Sequence, residues 1–233
     1  VNSEKTPSLQ PPHFKIIRQA IVDRGHAWWG SEISVAGGVN LEQLESACTE
    51  ALRHIHPPRK TLNALHPAKS HTLLRIGQSA LMNDDILRAI IQAARALEYH
   101  KHPFTLSLDN PLDALPGPVE RRAMVRQLYK LKDHSITLAY NNYRLDTKPA
   151  DLLIDLELYD YIKMPFPDSA LRLSLNTRSD LFDRLYDRML ELISVSKVCF
   201  IADQVEFADS AMLAKNLPFE YFQGGYYSPA DCL

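Results

Sequence analysis

Apolar positions fall along this chain in two rhythms. Short apolar runs, each too brief for a helix, read as strands: "HFKIIRQAIVD", "HAWWGSEIS", "TLLRIG", "FTLSL", "SITLAY", "DYIKM", "ALRLSL", "KVCFIA" and "FEYFQGG". Asp23 to His26 separate the first two, with Gly25 as the expected turn residue, so these runs form a candidate hairpin. Other stretches carry helical spacing. In "VNLEQLESACTEALRHI", Leu41, Leu44, Cys48, Ala51, Leu52 and Ile55 share one face; Asn40 and Gln43 hold capping-box positions, and Pro57 and Pro58 end the helix. In "NDDILRAIIQAARALEYH", Asn83 caps and Ile86, Ile90, Ala94 and Leu97 line the buried face. "PVERRAMVRQLYKL", "SDLFDRLYDRMLELISV" with Ser179 as its cap, and "DSAMLAKNL" complete the helices, whereas "SITLAY" leads into a turn-rich stretch around Lys148 and Pro149.

Repeated strand-then-helix units of about 30 residues predict an α/β fold with a largely parallel sheet. With about seven or eight such strands, a modified (β/α)8 TIM-type barrel is preferred over an open sheet, although periodicity alone fits both. The 233 residues, 45% hydrophobic, suffice for one such core. Residues 13–233 are assigned to the barrel and residues 1–12, polar and proline-containing, to a flexible N-terminal segment. Net charge is −2, with 26 basic against 28 acidic residues, so the broad positive field that nucleic-acid binding needs is missing. Cys48, Cys199 and Cys232 are odd in number and lack a CxxC pair, which fits a reducing compartment and predicts a cytoplasmic protein. No apolar run approaches the roughly 20 residues of a membrane span.

In a barrel, working side chains project from the C-terminal strand ends. Those positions are Glu32, Gly77, Ser107 with Asp109 and Asn110, Asn141 with Asn142, Lys163, Asp203 with Glu206, and Gln223. Alone, "AYNNYR" is a turn, since asparagine bonds to nearby backbone and tolerates left-handed geometry. In order, however, these residues resemble the EAL domain, the bacterial cyclic di-GMP phosphodiesterase family, over nearly the full chain. "RQAIVD" is similar to the family's YQPIVD, "GSEIS" stands where the family has G-x-EAL, and "ADQVE" with "YFQGGYYSP" resembles AEGVE with YVQGYLFSKP.

The resemblance implies hydrolysis of one phosphodiester bond assisted by two divalent cations, and it implies that the site is degenerate here. Glu32 stands at the glutamate of EAL. The next strand's asparagine corresponds to Gly77, the glutamates of E-x-T-E to Ser107 and Asn110, and the paired aspartates of DDFG to Asn141 and Asn142. Lys163 is kept, but the aspartate two positions later is Pro165; Asp203 replaces a glutamate, while Glu206 and Gln223 survive. Each unit charge removed beside a dication forfeits about 4 kcal/mol at an effective dielectric near 20, so no two-metal hydrolytic site and no cofactor is expected. Gln19 remains from YQP, but the phosphate-clamping arginine corresponds to Ala36.

The resulting expectation is a catalytically inactive, EAL-like protein that works through another protein. Standalone degenerate members of the resembled family include regulators that bind the FlhD subunit of the flagellar master activator and suppress motility genes. The alternatives are a non-hydrolysing cyclic di-GMP receptor and a weak residual phosphodiesterase. Lys163 either stands over the old site or, as the favoured reading, pairs with Asp160 or Glu206; Glu32 could be that lysine's partner. His54, His56, His100 and His102 read as solvated helix ends, and Cys199 as core. Trp28 and Trp29, adjacent on a strand, point to opposite faces, so one of them is either a partner anchor or covered by the N-terminal segment or a nearby helix.

Overall fold

The computed structural model describes residues 13–37, 39–55, 70–109, 115, 117–166 and 174–233. The N-terminal segment 1–12, His56, Pro57, Pro58 and Asn110 lie outside the described residues. Two antiparallel strands open the domain, β1 (Ile16–Asp23) and β2 (Trp28–Val35), confirming the hairpin. Gly25 lies in its turn, as expected. The Asp23 carboxylate accepts the Gly25 and Ala27 N–H groups, and the residue with positive φ is His26, not Gly25. An aspartate that bonds backbone two residues ahead holds such a turn in place.

From β2 onward each strand runs parallel to the last: β3 (His71–Gly77), β4 (Phe104–Asp109), β5 (Thr137–Tyr140), β6 (Tyr161–Pro165), β7 (Cys199–Asp203) and β8 (Tyr221–Gln223). β8 then pairs antiparallel with β1, and since β1 also pairs with β2 the sheet closes. The barrel is therefore eight-stranded with one strand reversed, because a short hairpin loop can only return antiparallel. A two-residue strand, β9 (Asp231–Cys232), pairs with Ile17 and Arg18 of β1, before the stretch that pairs with β8.

The helices cover the outer face as their periodicity predicts. In α2 (Asp84–Tyr99) Ile86, Leu87, Ile90, Ala94 and Leu97 are buried, and the Asn83 side chain accepts the N–H groups of Asp85 and Ile86. Asn40 accepts from Gln43 N in a 3₁₀ turn before α1 (Leu44–Arg53), which buries Ala47, Cys48 and Ala51. Three further helices have both ends described: α3 (Pro118–Asp133), α4 (Ser179–Ser196) and α5 (Ala208–Lys215). Two expectations are corrected here. Ser179 is the first helical residue rather than a cap, Arg178 being the cap without a side-chain bond. The described part of "ALRLSL", from Ser174, is helical instead of a strand. Alternation over six residues points to a strand but is too short to settle the element, and Leu175 is buried in the core as part of the helical segment. No described helix is long and apolar enough to cross a membrane.

Inside the barrel, the lower half is apolar and aromatic. Ile21, Leu73 and Ile201 pack at its centre with Trp29, Tyr161 and Tyr221 against them. Trp29 stacks on Tyr221 at 3.9 Å and on the His71 ring at 4.3 Å. Burial lowers the His71 pKa to about 4, so the ring is neutral at pH 7 and bonds Thr105 Oγ1 at 2.6 Å. The two tryptophans do point to opposite faces. Trp28 lines a cleft of about 340 Å³ on the outer face with Arg18, His26, Tyr227 and Asp231.

The backbone makes a tight approach just after β8. Gly224 has φ +148, and a Cβ there would run into the Val205 backbone, whose N–H bonds Gln223 O at 3.0 Å. Gly224→Ala is expected to lower unfolding free energy by about 2 kcal/mol or more in urea titration, since neither conformation nor space suits a side chain.

Candidate functional site

Side chains alternate between barrel interior and outer layer along each strand, so Leu73, Arg75 and Gly77 of β3 share the inner face. Above the aromatic floor the interior turns polar. Glu32 lies inside β2 rather than at its end, opposite Gln19 of β1 and Leu73 of β3. Lys163 of β6 is 0% exposed and Glu32 3%. Lys163 Nζ donates to Glu32 Oε2 at 2.7 Å and to Gln223 Oε1 at 2.9 Å, and stands 3.5 Å from Asp203 Oδ2.

This arrangement corrects the favoured partner assignment. Lys163 pairs with neither Asp160 nor Glu206. Asp160, at the opposite end of β6, bonds Lys132 Nζ at 2.6 Å. Glu206 is exposed beyond β7, where its Oε1 accepts the Gly225 N–H at 3.1 Å. Burial explains the choice: an ammonium without water needs carboxylates that the barrel walls bring to it.

Sequence reasoning missed the second cation. Arg75 Nε and Nη2 donate to Asp109 at 3.0 and 2.9 Å, Nη1 donates to Asp203 Oδ2 at 3.3 Å, and Nη1 lies 4.0 Å from Glu32 Oε1. One planar group thus links β4, β7 and β2 from β3. A signal was available. Arg75 interrupts the apolar run "TLLRIG" with inward parity, two positions before Gly77, where arginine requires buried acids.

The asparagine pair joins the same network. Asn141 is 1% exposed; its Oδ1 accepts from Ser107 Oγ at 2.6 Å and its Nδ2 donates to Asp109 Oδ1 at 3.2 Å. Asn142, exposed with φ 60, donates to the same oxygen at 3.3 Å. Both amides turn their N–H groups toward the Asp109 oxygen that accepts from them. Asn142 is also a turn residue in left-handed geometry, as asparagine alone suggests. Gln19 donates to Ser228 O at 3.1 Å, and Gln223 Nε2 reaches Glu32 Oε1 at 3.3 Å and Gln19 Oε1 at 3.4 Å.

Burial by itself pushes the Glu32 carboxyl up. The charges of Lys163 and Arg75, with hydrogen bonds from Lys163 and Gln223, outweigh that and hold it below the ordinary carboxylate range. Arg75 loses solvation too, but Glu32, Asp109 and Asp203 more than restore its preference for charge.

These residues do not fit a pair of divalent cations. Hard dications require several oxygens in direct contact. Here Glu32, Asp109 and Asp203 each already face a cationic nitrogen, and the amides of Asn141 and Asn142 turn donors toward Asp109. Among the described residues no group of three or more His, Cys, Asp or Glu side chains is placed to hold a metal ion.

No family model and no curated protein sequence matches this chain. Solved structures do. The EAL enzyme Bd1971 in its cAMP- and cyclic di-GMP-bound form superimposes with TM-score 0.69 at 11% identity, over 93% of this chain and 62% of that one. The EAL domain of Mycobacterium smegmatis DcpA gives 0.63 at 16%, over 94% and 93%. Bacillus subtilis YkuI, a protein with an EAL domain, in complex with substrate cyclic di-GMP and calcium, gives 0.66 at 17%, over 93% and 55%. This chain thus spans less than two thirds of Bd1971 and of YkuI. At such identities the likeness shows the fold, a closed α/β barrel of the EAL-domain type.

The buried pair yields a stability test. Lys163→Met leaves Glu32 without its main partner and is expected to cost about 3–5 kcal/mol in chemical denaturation, the usual effect of stranding a buried charge. The acid response gives the sign. Because the folded pKa of Glu32 lies below its ordinary 4.5, its contribution is full above pH 4.5 and disappears as pH falls through the lowered value. Lys163→Met is expected to lose less stability than wild type over that window.

Proposed function

We propose that this chain is a non-hydrolysing protein of EAL-domain fold that acts by binding another protein. The observation carrying the first half is Arg75 and Lys163 seated on Glu32, Asp109 and Asp203. Hydrolysis of a phosphodiester by two cations needs those carboxylates free to hold metal and polarise the phosphate. In this arrangement each of them is paired from within, and Asn141 and Asn142 add donors rather than charge. Glu206 stays outside the cluster.

The second half extends the resemblance to standalone degenerate regulators. We propose the FlhD subunit of the flagellar master activator as partner and repression of motility genes as the outcome. Of the two tryptophans, Trp28 suits a partner better, since it borders an outer cleft, whereas Trp29 is stacked between Tyr221 and His71. Cyclic di-GMP sensing is the competing reading, favoured by the bound nucleotide in the similar structures. Against it, Gln19 and Gln223 spend their amides on Ser228, Glu32, Lys163 and each other.

Purified protein with cyclic di-GMP and Mg²⁺ or Mn²⁺ is expected to release no linear dinucleotide and to show no saturable nucleotide binding by calorimetry. Mixed with FlhD, it is expected to co-elute in size-exclusion chromatography. Turnover abolished by Glu32→Ala would reinstate the phosphodiesterase, micromolar nucleotide binding the receptor, and separate elution would remove FlhD as partner.

A further inference from the structure

In the barrel mouth, cross-strand bridging is done by side-chain nitrogen. Arg75 extends from β3 to acids on β4 and β7 and lies beside Glu32 of β2. Lys163 extends from β6 to Glu32 of β2, Gln223 of β8 and Asp203 of β7. Six of the eight barrel strands therefore converge on two fixed positive charges. Divalent ions commonly perform this bridging, drawing carboxylates from separate strands to one point. The three carboxylates exceed the two cations by a single negative charge, so little attraction remains for another cation.

The mouth is also saturated with hydrogen bonds. Asp109 receives Arg75, Asn141 and Asn142; Asp203 receives Arg75 and the Gln204 N–H; Glu32 receives Lys163 and Gln223. An entering ion would have to displace a guanidinium held by two parallel bonds to one carboxylate, a strong charge-assisted arrangement. Arginine suits this role better than lysine would, since its fork engages Asp109 with one edge and Asp203 with the other.

We propose that Arg75, assisted by Lys163, is a built-in replacement for divalent metal: wild-type protein takes no Mg²⁺, Mn²⁺ or Ca²⁺ in its mouth, and removing the Arg75 guanidinium alone creates a single-ion site. That ion would sit between Asp109 and Asp203, with the Asn141 amide free to turn its oxygen inward and water filling the remaining volume. The excess negative charge rises by one in the variant, which supplies the attraction. This inference rests on the non-hydrolytic part of the reading above and is independent of any partner.

Thermal unfolding of wild type, Arg75→Ser, Arg75→Gln and Arg75→Lys in EDTA or CaCl₂ tests it. Wild type and Arg75→Lys are expected to melt at one temperature in both buffers. The two neutral variants are expected to gain roughly 3–6 °C when Ca²⁺ is about ten times its Kd, as one-site linkage gives for a domain of this size. A neutral variant folding only with Ca²⁺ supports the inference equally. In parallel, the side-chain amide NMR signals of Asn141 and Asn142 in wild type are expected to stay sharp in Mn²⁺. Broadening of those signals at substoichiometric Mn²⁺ overturns the inference, as does a folded neutral variant with no Ca²⁺ response. If neither neutral variant folds, the Mn²⁺ result on wild type decides. FlhD co-elution is unaffected by any of these outcomes, so the partner reading and this one fail separately.

Discussion

An ammonium sealed inside a barrel must be surrounded by acceptors, and that requirement organises the upper half of this molecule. Lys163 has no exposed surface, so Glu32, Gln223 and Asp203 must stand around its nitrogen. They come from three different strands. Satisfying one charge thereby fixes the relative height of β2, β6, β7 and β8. Arg75 repeats the logic on the other side of the mouth, and Asp203 belongs to both clusters. Such a network is strongly interdependent, because each member is buried on the assumption that the others are present.

The lower half is held by different physics. Trp29, Tyr221, Tyr161 and His71 close the floor by ring contacts around Ile21, Leu73 and Ile201. His71 belongs to that apolar layer, which is why burial keeps it neutral. One barrel thus has an ionic end and an aromatic end. A fold can retain this division while its chemistry changes, since activity resides in particular side chains and not in the scaffold.

Local signals were read well where one element decides them. The α2 face of Ile86, Ile90, Ala94 and Leu97, the Asn83 cap and the β1–β2 hairpin needed only spacing and capping chemistry. Errors arose where a second element intervenes. The alternation around Ser174 and Leu175 pointed to a strand but was too short to settle the element, and Leu175 is buried in the core within a helical segment. Lys163 could not be matched to Glu32 from spacing either, because barrel closure sets that pair.

What the sequence determined by itself is the alternation of strands and helices, the single reversed hairpin, and the uncharged Asn141 and Asn142 on a strand end. The partners of the charged residues were decided only in three dimensions. Glu32 and Lys163 are separated by 131 positions, Arg75 and Asp203 by 128. No local periodicity spans such distances. Barrel closure sets which strands face one another across the mouth, and low dielectric there makes pairing compulsory. Lys163, with Asp160 only three positions away, therefore turned to Glu32 and Asp203. Arg75, whose place in an apolar run demands buried acids without naming them, became the bridge between Asp109 and Asp203.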